Sequence, residues 1–272
     1  MRWDRGHQSS NVDDRRGEAP PRTGMGGAGM QMGSILAIGS RFGWKGILVA
    51  LLLIGGLTYG GRMCTGDEGP SQQVTQQVPA EQDETSRFVG FVLDDVQDTF
   101  AKQLRGYQPT RLTLFRSAIN SACGTASAAV GPFYCPLDRK VYIDLTFYDE
   151  LRRRFGAPGD FAQAYVIAHE VGHHVQNQAG LLGKGEVHQI ETELQADCLA
   201  GAWAKDAEAR GLLEVGDVDE ALNAAAQIGD DTIQRKTTGR VQPETWTHGS
   251  AAQRSASFKR GLTGGIEACG LR

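Results

Sequence analysis

Two histidines four residues apart, with a glutamate between them, form the segment of this chain that is best suited to chemistry. The segment reads His169-Glu170-Val171-Gly172-His173. Residues four apart on a helix project from one face, so both imidazoles could bind a single metal ion. The Glu170 carboxylate could then take a proton from a metal-bound water, as in metalloproteases. The motif predicts a zinc hydrolase in which His169 and His173 are ligands and Glu170 is the general base.

A third ligand must come from elsewhere in the chain, and residues 187–210 supply several carboxylates. This stretch is rich in Ala, Leu, Glu and Gln and is therefore predicted to be helical. Glu193 and Asp197 are four apart, so one can bind zinc while the other accepts the free N–H of a ligating histidine. We expect Glu193 to be the ligand and Asp197 the supporting partner, since His-His-Glu is a known zinc set. Glu191 is the competing candidate, but it lies on a different face.

A helix has to position the two histidines. Apolar residues recur at three- and four-residue steps between Phe161 and Val175. Asp160 is a candidate N-cap and Gly180 a candidate stop. Ala168 and Gly172 are small, so another backbone or a substrate could approach this helix closely. The alternative is a buried helix whose histidines have only structural partners.

Several linked motifs extend the pattern over nearly the whole chain. They are the segments 131–136, 141–145, 169–176, 193–201, 228–231 and 247–250, with Gln253-Arg254. With the basic start and one apolar segment, these motifs resemble the bacterial family described as putative neutral zinc metallopeptidases. The resemblance implies a membrane-anchored, gluzincin-like peptidase with Glu170 as base and His169, His173 and Glu193 as zinc ligands. One departure is Ala251, where we expect a second serine.

A late histidine, His248, is the second catalytic candidate. It precedes a Gly-Ser turn in a segment that resembles the late histidine of gluzincins. We expect it to stabilise the oxyanion of the tetrahedral intermediate and not to bind zinc. Asp230 and Asp231 are either an ordinary solvated pair or residues that position this segment, and we treat them as structural. Arg254 either pairs with a carboxylate or lies on the surface.

The fold class is predicted to be α+β, with one domain over residues 86–272. Strand patterns cover 111–115 and 141–145, and helical patterns dominate from Phe147 onward. The prediction is a small mixed sheet with a predominantly helical, zincin-like core, preceded by one transmembrane helix. By resemblance, the segment 124–141 holds the edge strand that receives an extended substrate, although it could be only a hairpin.

The N-terminal third is predicted to lie outside this domain. Residues 1–45 lack apolar periodicity and are interpreted as a disordered cytoplasmic tail, 46–62 as a transmembrane anchor and 63–85 as a polar linker. A cleaved signal peptide is the alternative, but the basic tail is long for one. With the basic flank inside, the catalytic domain would be extracytoplasmic, in the periplasm or at the cell surface.

Five cysteines are consistent with an oxidising environment. Cys123 and Cys135 are the first candidate pair, Cys198 and Cys269 the second, and Cys64 is left over. Sequence alone does not separate the three possible pairings of the four domain cysteines.

Composition limits the partners. A net charge of -4 with 22% charged residues provides no basic field for nucleic acid. We expect a protein or peptide substrate, Zn²⁺ as cofactor, and the membrane as partner through the anchor. The predicted function is a zinc endopeptidase. The alternative is a catalytically inactive, zinc-stabilised scaffold that binds proteins at the membrane surface, but the intact Glu170 favours the enzyme.

Overall fold

A computed structural model describes residues 1–18, 80–127, 131–153, 159–182 and 189–271. The strands are β1 (Val12–Asp14), β2 (Arg111–Phe115), β3 (Ala118–Ser121), β4 (Gly124–Ser127), β5 (Phe133–Cys135) and β6 (Lys140–Asp144). The helices are α1 (Ala80–Gln103), α2 (Thr146–Arg153), α3 (Asp160–Gln178), α4 (Gln189–Ala209), α5 (Asp217–Gln227), α6 (Asp230–Thr237) and α7 (Ala251–Gly264). Two 3-10 turns span Pro243–Thr245 and Ile266–Cys269.

Four strands form a small mixed sheet in the order β1-β2-β6-β5. Strands β1, β2 and β6 are parallel, and β5 is antiparallel to β6. The two central strands β2 and β6 are buried beyond their first residues, and Leu112, Leu114, Val141 and Ile143 are fully buried. β3 and β4 form a separate antiparallel hairpin. The predicted α+β class with a small mixed sheet is confirmed, and β5 is an edge strand of that sheet.

The first eighteen residues are folded, contrary to the predicted disordered tail. The backbone of β1 pairs with β2, which satisfies the polar groups that face that strand. The carboxylate of Asp94 in α1 accepts hydrogen bonds from Ser9 and Asn11 at 3.0 and 2.7 Å. These long-range partners explain why a polar segment without periodicity is ordered. The rest of the predicted tail, residues 19–45, lies outside the described residues.

The prediction of a single-pass membrane protein is wrong. Among the residues that the structure describes, no helix combines the length and apolar character needed to cross a bilayer. The predicted anchor, 46–62, lies outside the described residues. β1 precedes that segment and β2 follows it, yet the two pair in one sheet. A single membrane crossing between β1 and β2 would put the two strands on opposite sides of the membrane, where they could not pair. The predicted single-pass topology and localisation therefore do not hold.

The predicted linker, 63–85, is also shorter than expected, because α1 already begins at Ala80. Its first part, 63–79, which includes Cys64, lies outside the described residues. Both candidate disulfides of the domain are present. Cys123 in the β3–β4 turn is bonded to Cys135 in β5. Cys198 in α4 is bonded to Cys269 at the end of the last 3-10 turn.

Small residues bring the helices of the core into close contact. A Cβ atom on Gly172 of α3 would lie 3.2 Å from the Cα of Ala196 in α4. Between α4 and α7 the approach is closer, because a Cβ on Gly201 would overlap the carbonyl oxygen of Phe258, and one on Gly261 that of Cys198. The expected close approach to α3 at Gly172 is therefore confirmed. It places α4 directly beside the helix that carries the histidine motif.

Candidate metal centre

The helix α3 holds the histidine motif inside the protein. It packs against α4, and also contacts β5 and β6 of the sheet. Its N-cap is Gly159, so Asp160 is its first residue and not the cap predicted from sequence. Gly180 follows the helix with a φ of 68°, which suits a glycine at a helix stop. His169, Glu170 and Val171 are all buried along this helix.

His169, His173 and Glu193 converge on one point. Each offers a ligand atom, and these atoms all lie within 4.8 Å of one another. The Nε2 of His169 is 3.2 Å from Glu193 Oε2, and the Nε2 of His173 is 3.5 Å from Glu193 Oε1. Two imidazole nitrogens and one carboxylate oxygen are a donor set that suits zinc. The residues present therefore fit the metal that the motif predicts.

The electrostatics of this group also favour a cation. Burial disfavours the charged form of His169, but the neighbouring Asp197 and then Glu193 raise the pKa of its imidazole to about 10. Burial likewise opposes ionisation of Glu193, yet His173 and His169 hold its pKa well below the ordinary value. A site that stabilises positive charge between two carboxylates is suited to a divalent ion.

Asp197 lies behind His169, on the side away from Glu193. Its Oδ1 is 2.8 Å from the Nδ1 of His169. Because a carboxylate only accepts, Nδ1 donates its proton to Asp197, which leaves Nε2 as the nitrogen that would bind a metal in exchange for its own proton. Tyr165 also donates its hydroxyl proton to Asp197. This arrangement places Asp197 where the spacing predicted a supporting partner.

Arg254 of α7 is a further partner of Asp197, and its side chain is buried. Its Nε and Nη2 atoms donate to the two oxygens of Asp197, both at 2.9 Å. Burial alone would raise the pKa of Asp197, but Arg254 and His169 lower it to about 2. Of the two alternatives left open for Arg254, the structure therefore shows the carboxylate pair.

Gln176 supports the second histidine, and sequence reasoning missed it. Its Oε1 accepts from the Nδ1 of His173 at 2.8 Å. The signal was available, because Gln176 lies three residues after His173 on the same helix and can face it. Both histidines thus have an acceptor on Nδ1 and direct Nε2 toward Glu193.

The carboxylate of Glu170 is buried beside the ligand group and forms no hydrogen bond with any other described residue. Tyr148 of α2 lies within electrostatic range of it. The Tyr148 hydroxyl is buried and has no partner among the described residues. Burial and then the charge of Glu170 raise the pKa of Tyr148. Sequence reasoning did not select this tyrosine.

His248 lies in the loop before α7 and is about half exposed. Its hydrogen bonds are to Thr247 and Asp230, so none joins it to the three candidate ligands. One oxygen of Asp230 accepts from the backbone N–H groups of Thr247, His248 and Gly249, at 2.8, 2.7 and 3.0 Å. Asp230 thus positions the His248 loop, which was one of its two predicted roles.

Asp231 of α6 bonds to the first residue of α7. Its Oδ1 accepts from the backbone N–H of Ala251 at 2.8 Å. Ser250 caps α7 through a reciprocal capping box with Gln253. The departure at Ala251 therefore leaves its backbone N–H bonded to Asp231.

The edge strand β5 is attached to the far end of α3. The hydroxyl of Tyr134 lies 2.9 Å from the Nδ1 of His174 and accepts from Asn177 at 2.8 Å. Asn177 also donates to the carbonyl of Pro136. The Nε2 of His174 donates its proton to the carbonyl of Gln108, so Nδ1 accepts from the Tyr134 hydroxyl. Both nitrogens of His174 are therefore occupied, and the strand is held beside the helix.

A second acidic group, Asp160, Asp217 and Glu220, also has closely spaced oxygens. The ammonium group of Met1 lies among them, 2.7 Å from Asp160 and 3.4 Å from Asp217. This one positive charge offsets part of the negative charge of the group, and the two contacts account for the close spacing of Asp160 and Asp217 without a second metal.

A helix with two histidines facing a glutamate of the next helix is an arrangement typical of zinc peptidases. The family "Putative neutral zinc metallopeptidase" matches residues 1–270, so the chain belongs to that family. It is 40% identical over 285 residues to "Uncharacterized protein YpfJ" of Escherichia coli K12, covering 97% of this chain and 96% of that protein. It is 47% identical over 180 residues to "Uncharacterized protein Rv2575" of Mycobacterium tuberculosis H37Rv, covering 60% and 61%. No solved structure gave a significant match.

Proposed function

We propose that this protein is a zinc-dependent endopeptidase whose active site is formed by α3 and α4. The observation that carries the proposal is the convergence of His169, His173 and Glu193, with the buried carboxylate of Glu170 in electrostatic range of His173. Three protein ligands leave a coordination position for water or substrate, as in catalytic zinc sites. A purely structural zinc site would use four protein ligands, and the described residues supply three.

His169, His173 and Glu193 would hold the metal. When bound, zinc supplies Lewis-acid chemistry, which polarises a carbonyl and lowers the pKa of a coordinated water to about 7. Asp197 and Gln176 keep the two imidazoles in the tautomer that presents Nε2. Such supporting partners hold ligand geometry against thermal motion.

Glu170 is assigned to proton transfer. Its carboxylate has no hydrogen bond to hold it among the described residues, so an oxygen is available to accept a proton from the attacking water. It would later return that proton to the leaving amine. Glu170 follows His169 directly on the same packed helix, so both side chains are held by one rigid element.

The edge strand β5 supports a protein or peptide substrate. An extended peptide can pair with the main chain of a sheet edge whatever its side chains are, and such pairing requires no chain terminus. Tyr134 and Asn177 attach β5 to α3, and Cys135 attaches it to the β3–β4 hairpin. These contacts support a fixed strand along which an internal peptide bond of a protein could reach the metal.

The test is Glu170→Gln, with metal content and cleavage of a labelled unfolded protein measured on the same sample. We expect zinc at the wild-type stoichiometry and hydrolysis reduced by about 100- to 10 000-fold, because only the base is lost. Glu191→Gln, an exposed glutamate of α4, is the matched control and should behave as wild type. Zinc lost together with activity would identify Glu170 as a ligand. A zinc-loaded wild type that cleaves no unfolded protein would favour the scaffold.

A further inference from the structure

The tautomer of His173 depends on an uncharged partner. Its Nδ1 faces the Oε1 of Gln176 at 2.8 Å, whereas His169 faces the charged Asp197. An amide oxygen only accepts, so this contact keeps the proton on Nδ1 and leaves Nε2 free toward Glu193. A primary amide that turned over would instead present its NH₂ group to Nδ1. The orientation of the Gln176 amide is therefore critical for this histidine.

Two acceptors fix the Gln176 amide, which is fully buried. Its Nε2 donates to the carbonyl of Thr192 at 2.7 Å and to the Oε1 of Gln195 at 2.9 Å. Turning the amide over would place its oxygen against both acceptors. The orientation of Gln176 thus depends in part on the orientation of Gln195.

The carboxy-terminal segment fixes Gln195. Its Nε2 donates to the carbonyls of Cys269 and Gly270, at 2.9 and 3.1 Å. Cys269 is bonded to Cys198, one helical turn after Gln195 on α4, so the disulfide holds these carbonyls beside the amide. A continuous set of hydrogen bonds therefore runs from the disulfide to His173. We call Gln176, Gln195 and the two carbonyls the glutamine relay.

We propose that the carboxy-terminal segment is a positioning element of the metal centre. Through the glutamine relay, the Cys198–Cys269 disulfide holds His173 in the tautomer that presents Nε2 to zinc. The inference rests on the proposed role of His173 as a ligand. It implies that opening this disulfide weakens zinc binding, although neither sulfur is a member of the ligand group.

The test measures zinc affinity of the full chain by competition with a chelator. Gln176→Leu removes the acceptor of His173 and should weaken zinc binding by about 10- to 100-fold. Gln178→Leu is the matched control, because Gln178 lies on the same helix but contacts the backbone of Gln108 and the ring of His174, and none of the three candidate ligands. It should bind zinc as wild type does.

The disulfide is tested with paired serine variants. Replacing both Cys198 and Cys269 should weaken zinc binding by about 2- to 30-fold, the range for residues that act through a network. Replacing both Cys123 and Cys135 opens the other disulfide and should leave zinc affinity unchanged. Thermal unfolding of the metal-free variants shows whether each still folds.

A coupling experiment separates the relay from general destabilisation. In Gln195→Glu, either carboxylate oxygen can accept from Gln176, but the side chain has no N–H to donate to the carbonyls of Cys269 and Gly270. Loss of the Cys198–Cys269 disulfide should therefore no longer change zinc affinity in this background. An equal loss in the wild-type and Gln195→Glu backgrounds would overturn the relay.

The outcomes distinguish the two proposals. A wild-type chain that binds no zinc would overturn the proposed function and the relay together. Tight zinc binding by wild type and equally tight binding by Gln176→Leu would overturn the relay alone. If Gln176→Leu does not fold, the comparison of the disulfide variant in the two Gln195 backgrounds decides the question.

Discussion

Arg254 of α7 and Asp197 of α4 form a buried two-point ion pair directly behind His169. Both contacts measure 2.9 Å, and both side chains are excluded from solvent. The pair joins three helices, because Asp197 also accepts from His169 and Tyr165 of α3. A residue 57 positions away in sequence from Asp197 thus keeps that carboxylate ionised and oriented.

The first prediction is that Arg254→Met destabilises the metal-free protein by about 3 to 5 kcal/mol. Removing one partner leaves the charge of Asp197 buried without compensation. Urea unfolding of metal-free samples measures this loss. Arg260→Met, an exposed arginine on the same helix, is the control and should be nearly neutral. Equal stability of the two variants would contradict the energetic role given to the pair.

The second prediction concerns the third ligand. Glu193→Ala should lose stoichiometric zinc, because its oxygens lie beside both Nε2 atoms. Glu191→Ala should retain zinc. Asp197→Asn should weaken zinc affinity by about 10- to 100-fold, since an amide supports the His169 N–H less strongly than a carboxylate. Metal analysis after dialysis measures all three, and full zinc in Glu193→Ala would reject the ligand set.

The third prediction is that His248 acts on the reaction and not on the metal. His248→Phe should retain zinc and substrate affinity but lose about 100- to 1000-fold in turnover, the usual effect of deleting one oxyanion donor. Asp230→Asn should also lower turnover, because the Asp230 carboxylate accepts from three backbone N–H groups of the His248 loop.

The control for His248 is His7→Phe, which removes a histidine that bonds to Asp94 of α1. It should change neither zinc content nor turnover. Turnover near the wild-type value in His248→Phe would show that this histidine has only a structural role.

The fourth prediction concerns the stability of the metal-free protein in acid. The pKa of Asp197 is about 2 in the folded protein against an ordinary value of 3.8. A lowered pKa in the folded state means that the ionised group stabilises the fold above its ordinary pKa. This contribution is lost as the pH falls toward the folded value, and amounts to about 2 kcal/mol.

The free energies of unfolding of metal-free wild type and Asp197→Asn should therefore converge by about 2 kcal/mol between about pH 5 and about pH 2. Urea titrations at several pH values measure the two curves. Parallel curves would show that Asp197 does not titrate in this range.

Local patterns in the sequence were sufficient for much of the fold and for the candidate ligands. The spacing of His169 and His173 places them on one helical face whatever the rest of the chain does, because helical periodicity is a local property. The same reasoning paired Glu193 with Asp197. Alternating and periodic apolar residues predicted β2 and α3 within a residue or two of their observed bounds. The two cysteine pairs were also selected correctly, although spacing alone did not exclude the other pairings.

The partners of these residues were decided by the tertiary structure. Arg254 meets Asp197 only because glycines let α7 pack closely on α4, and Gln195 meets the carbonyls of Cys269 and Gly270 only when the last turn folds back onto α4. The N-terminal segment has a polar composition that favours disorder, yet β1 is ordered by pairing with β2, a strand distant in sequence. Such contacts depend on how elements pack, and packing energy is not encoded in the spacing of any single segment.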